Sequence, residues 1–73
     1  MDAKDWLTAY ADRIGASAPD DETVELLLEL AGVAAHSSQR TAAPITCWLI
    51  GVAGLAPAEA LAVAKELAGE SDG

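Results

Sequence analysis

Residues 21–36 read DETVELLLELAGVAAH, and the spacing of their apolar side chains decides the fold class. Val24, Leu27, Leu28, Ala31, Ala34 and Ala35 recur at the intervals of one α-helical face, while Leu26, Leu30 and Val33 form a second apolar row. At about 100° per residue, Glu22, Glu25, Glu29, Gly32 and His36 share an arc of only about 80°. A helix that is polar over so narrow an arc buries most of its circumference, which predicts a central helix. Asp20, Asp21 and Glu22 open it, with negative charge at the positive end of the helix dipole.

Working outward, the chain carries three further helical patterns. Asp2 is placed to cap a helix over 3–14, with Trp6, Leu7, Tyr10 and Ile14 as its apolar stripe and Gly15 as a left-handed stop. A third helix is predicted over 44–53, with Pro44 in the first turn, where a missing amide hydrogen is harmless. Its large residues Ile45, Trp48, Leu49 and Val52 fall on one face, predicted to be core, and Cys47, Gly51 and Gly54 on a narrow small-residue face. Pro57 begins a fourth helix ending near Ala68, with Ala60, Val63, Ala64 and Leu67 inward. No alternating strand pattern is present. The expected fold is therefore all-α, a compact four-helix arrangement with short connectors, a small orthogonal-type bundle. Residues 1–68 form the single expected domain, and 69–73 a flexible C-terminal tail.

Bulk properties narrow the function. The 73 residues allow one domain with a small core, and 17 of the apolar residues are alanine. Assistance from a partner, for instance as a homodimer, fits so thin a core. The net charge of −8, with only Lys4, Arg13, Arg40 and Lys65 as scattered cations, argues against nucleic acid and against an anionic membrane surface. A basic protein surface is the electrostatically favoured partner. One cysteine makes no internal disulfide, the first residues show no signal-peptide pattern, and the longest apolar stretch is short of the ~18–20 residues of a membrane span. The expected compartment is cytoplasmic.

Candidate chemistry concentrates in HSSQRTAAPITCW, residues 36–48. A Cys47–His36 nucleophile–base pair needs an electropositive, accessible setting, whereas Cys47 lies in a nearly all-apolar segment. His36 stands seven residues from Glu29 and eleven from Glu25. Two helical turns separate side chains by about 10 Å, too far for one metal ion. No catalytic residue, metal site or cofactor is therefore assigned, and the chain is expected not to be an enzyme. His36 and Arg40 stack on one face if the second helix continues to Arg40, and Thr41 adds the amide end of the third helix, a combination suited to an anion. The competing and more common role for Arg40 is structural, capping the end of the second helix and pairing with an acidic neighbour. Glu22, Glu25 and Glu29 form a candidate acidic face for a protein partner.

LLLELAGVAAH (26–36), RTAAPIT (40–46), Trp48 and Leu49 before Gly51, with DWLTAYADRIG (5–15) and PAEALAVAKELAG (57–69), resemble a small actinobacterial helical domain family of unknown function. Members of that family are often encoded beside, or fused to, a molybdenum cofactor guanylyltransferase-like protein. The resemblance implies a non-catalytic accessory or protein-interaction domain linked to molybdopterin cofactor biosynthesis, with that guanylyltransferase-like protein as partner. It carries no catalytic residues. A module that binds an anion, such as a nucleotide or pterin phosphate, at the His36–Arg40 corner is the alternative.

Overall fold

Asp2 and Asp20 start the first two helices in the same way. Each side chain accepts a hydrogen bond from a first-turn amide, Asp5 N–H and Thr23 N–H respectively, at 2.8 Å. The computed structural model describes the backbone of residues 1–72 and the side chains through Glu70. Its four helices are α1 (Ala3–Arg13), α2 (Asp21–Ser37), α3 (Ala42–Ala53) and α4 (Pro57–Asp72), with no strand among the described residues. The all-α four-helix arrangement with short connectors is as the periodicity predicts.

Two helices stop through the same device. Gly15 and Gly54 hold left-handed φ values of 76° and 68°. At the first, Gly15 N–H donates to Asp12 C=O and Ala16 N–H to Ala11 C=O. At the second, Gly54 N–H donates to Gly51 C=O and Leu55 N–H to Ile50 C=O, and Ile50 and Leu55 both pack on the core. These paired bonds satisfy carbonyls that a helix end otherwise leaves free.

α2 packs against both α3 and α4, and no other pair of helices forms a comparable interface among the described residues. Leu30 of α2, 1% exposed, meets Ala60 and Leu61 of α4, with Leu26, Leu27, Val33, Cys47, Ile50, Leu55 and Ala64 partly buried around them. α2 is thus the central helix. A salt bridge at 3.0 Å from Lys65 Nζ to Glu29 Oε2 ties α4 to its polar edge.

Three expectations about inward faces are corrected. On α3 the large-residue face points outward: Ile45, Trp48, Leu49 and Val52 are all more than half exposed, Trp48 at 64%. The opposite face, with Ala43, Thr46, Cys47 and Ile50, turns toward α2. The reason is reach, because small side chains let two helix backbones approach while a tryptophan holds them apart. On α4 the inward residues are Ala60, Leu61 and Ala64, and Val63 and Leu67 are left exposed. On α1 the stripe of Trp6, Leu7, Tyr10 and Ile14 faces solvent, and only Ala11 is buried.

α1 consequently lengthens the molecule. The principal extents are 42 × 24 × 19 Å and the radius of gyration is 13.1 Å, against about 11 Å for a compact domain of this length. One smaller expectation also shifts. The helix predicted to end near Ala68 continues through Asp72, so 69–72 extend α4 where a tail was expected, and Gly73 lies outside the described residues. A Cβ built on Gly32 meets nothing within 4 Å, so this glycine does not mark a close helix contact.

Candidate functional site

Because α3 and α4 lean on α2 and not on each other, a groove of about 420 Å³ opens between them. Leu30 and Val33 form its floor, Leu49 and Ile50 one wall, Val63 and Leu67 the other. No charged residue lines it; Ser37, Ser38 and Thr46 are its only polar members. The period that builds it is visible on both walls, at 42, 46, 49–50 and 53 of α3 and at 60, 63–64 and 67–68 of α4. Sequence reasoning missed this groove, since Val63 and Leu67 looked like core residues.

The outer face of α3 is a second apolar surface. Ile45, Trp48 and Val52 are 59–65% exposed on consecutive turns. α1 supplies a third, where Trp6 and Tyr10 stack with ring centroids 6.0 Å apart and planes 19° from parallel. Exposed apolar faces this continuous are uncommon on a domain that acts alone.

The polar candidates separate. His36 is exposed and lines a shallower groove of about 570 Å³ between α2 and α4, together with Glu29, Gly32, Lys65 and Gly69. Arg40 and Thr41 lie in the turn beyond α2, which ends at Ser37, so the helical stacking of His36 on Arg40 is not formed. The amide end of α3 is also occupied. Ala42 N–H donates to Gln39 C=O at 2.9 Å, Ala43 N–H to Arg40 C=O at 3.1 Å, and Pro44 has no N–H. Thr41 makes no side-chain cap. The first turn of α3 therefore has no spare donor for an anion, which removes the amide contribution assigned to that corner.

On the acidic face, Glu22, Glu25 and Glu29 are all exposed. Glu29 is paired with Lys65, and Asp21 lies 3.7 Å from Lys4 Nζ, which leaves Glu22 and Glu25 without a cation among the described residues. Lys65 was overlooked as part of this face; its signal was to be the single cation on the helix beside the glutamate stripe. At the start of α2, hydrogen bonding from the Thr23 side chain, then from its backbone, holds the Asp20 carboxyl below its ordinary value. Cys47 is a free thiol, half-buried against the Leu30 cluster, in surroundings unlike those of exposed His36. Among the described residues no three His, Cys, Asp or Glu side chains are grouped to hold a metal ion. None of the described helices is long and apolar enough to cross a membrane.

Fold and surface together define a small all-α domain with one central helix and three uncovered apolar faces. Residues 1–72 match the model of a family described as Domain of unknown function (DUF6457), and the chain belongs to that family. No curated protein and no solved structure matches it.

Proposed function

We propose that the chain is a non-catalytic accessory domain that works by binding another protein in the cytoplasm. The partner in this proposal is a guanylyltransferase-like protein of molybdenum cofactor biosynthesis, as the resemblance of nearly the whole chain to the small actinobacterial family implies. The observation that carries the binding role is the outer face of α3, where Ile45, Trp48 and Val52 stand exposed on successive turns. Large aromatic residues held on a rigid helix are the usual anchors of protein interfaces, because they bury much area at little cost in side-chain order. Glu22 and Glu25 supply unpaired negative charge that steers a basic partner surface toward the domain.

The test is direct titration of the purified chain with the guanylyltransferase-like protein by calorimetry. Trp48→Ala is expected to weaken binding by about thirtyfold, the effect of an anchor contributing roughly 2 kcal/mol. Charge reversal at Glu22 and Glu25 is expected to slow association and flatten its dependence on salt. No heat of binding with the wild-type chain at tens of micromolar overturns the choice of partner.

A further inference from the structure

Two of the uncovered faces fit each other. We propose that two copies of this chain pair by exchanging α1, so that the Trp6, Leu7, Tyr10 and Ile14 stripe of each copy fills the groove between α3 and α4 of the other.

The first support is area. The chain exposes 5573 Å², whereas a folded monomer of its 7.4 kDa mass exposes about 4,200 Å². The excess is about 1,400 Å² per chain, or about 2,800 Å² for a pair, which lies within the range of obligate homodimer interfaces. A core in which Ala11, Leu30, Ala60 and Leu61 are the only buried residues among those described needs such a contribution.

The second support is shape and chemistry. Trp6 to Ile14 spans nine residues, about 12 Å of helix, and the α4 wall from Ala60 to Ala68 spans the same length. Trp6, Tyr10, Ile14 and Leu7 fall within an arc of about 100°, with Lys4, Asp5, Asp12 and Arg13 all outside it. A stripe without charge thus meets a groove without charge, and docking strands no buried ion. A fourth helix laid in the groove completes around α2 the packing that α3 and α4 leave open.

The third support concerns which copy supplies the helix. The Lys4–Asp21 contact sets the start of α1 beside the start of α2, while the floor of the groove begins nine residues further along α2, at Leu30. That is about 13 Å along the helix axis. The chain's own α1 is therefore outside its own groove. The six-residue connector 15–20 can extend to about 20 Å, long enough to deliver α1 to a neighbour without disturbing α2. Exchange of an identical element is a common low-cost route to a symmetric dimer.

The experiment is the solution mass of the full chain by sedimentation from nanomolar to tens of micromolar, with W6E as the arm variant and L67E as the groove variant. The wild type is expected to reach twice its 7.4 kDa mass. Each variant breaks both arm–groove contacts of its own homodimer. Each is expected to raise the dimer Kd by about a thousandfold, taking about thirtyfold per contact for an anchor residue. An equimolar mixture of the two variants retains one intact arm and one intact groove, and is expected to pair more tightly than either alone. At dilutions where the wild type is itself unpaired, the helical circular dichroism of W6E matches it, since the stripe adds nothing to its own chain's core.

A wild type that remains monomeric throughout, including one whose α1 closes on its own groove, overturns the proposal. So does a dimer indifferent to both variants, or a mixture no tighter than its components. These measurements need only this chain and leave the α3 outer face intact. A chain that pairs with itself but ignores the guanylyltransferase-like protein refutes the proposed partner alone.

Discussion

α1 and α2 begin with the same aspartate cap and carry apolar stripes of the same period, yet one is the best-covered helix of the molecule and the other the least. Leu30 of α2 is 1% exposed and Trp6 of α1 is 58% exposed. The difference lies in what each stripe meets. α2 receives both α3 and α4, whereas α1 forms no comparable interface with any helix of its own chain among the described residues. Amphipathic spacing therefore says that a face will be buried, but not in which molecule the covering surface resides.

The comparison is sharpened most by the largest substitution. Leu30→Ala removes the residue on which α3 and α4 both depend, and is expected to cost ~2–5 kcal/mol in chemical denaturation. In a domain this small such a loss leaves little folded protein at ambient temperature. Trp6→Ala, a larger deletion by volume, is expected to change the stability of the dilute, unpaired chain by no more than ~0.5 kcal/mol. Equal losses at the two positions would show that α1 packs on its own core.

The two glycine stops give a finer contrast. Gly54 and Gly15 hold nearly the same left-handed φ, and an added Cβ meets no neighbour at either. Backbone strain alone then sets the intrinsic penalty, about 1–2 kcal/mol. Gly54→Ala is expected to lower global stability by about that amount, because α3 belongs to the cooperative unit. Gly15→Ala is expected to fray α1 and leave the thermal midpoint of the α2–α4 unit unchanged.

Asp20 distinguishes the unit by pH. Its folded-state carboxyl ionises more readily than an ordinary aspartate, so its contribution is complete above the ordinary aspartate range and fades as pH falls through its lowered value. Asp20→Ala is accordingly expected to lower the melting temperature by a few degrees near neutrality, with the gap to the wild type closing in strong acid. The smallest effect belongs to Glu29→Gln. The Lys65–Glu29 bridge is more than half exposed at both ends, and its loss is expected to cost under ~1 kcal/mol, less in high salt.

Much of the fold was legible because it rests on local chemistry. The narrow polar arc of residues 22–36 identified the central helix, Asp2 and Asp20 announced the first two starts, and Gly15 the first stop. Pro44 was compatible with its place in the first turn of α3. The inward faces of α3 and α4 were misread because side-chain size was taken as a measure of burial. In a thin domain, Cys47, Ala60 and Ala64 turn inward because they are small enough to bring helices together, and Trp48 is left outside.

Of the candidate site, the exposure of His36, Arg40 and the acidic stripe was readable from the helical arc. Their separation was not, because it depends on α2 ending at Ser37 and on Gln39 and Arg40 carbonyls taking the α3 amides. The groove was invisible for a different reason. It exists only because α3 and α4 both choose α2 over each other, a choice made in three dimensions.

Hydrogen exchange followed by mass spectrometry over a dilution series tests most directly whether α1 gains its cover from a second molecule. An isolated helix of eleven residues is marginal in water. Amides of α2 and α4 are expected to stay protected at every concentration, while those of α1 become protected only where two copies pair. Protection of α1 that matches α2 and persists at the lowest concentration would contradict the account.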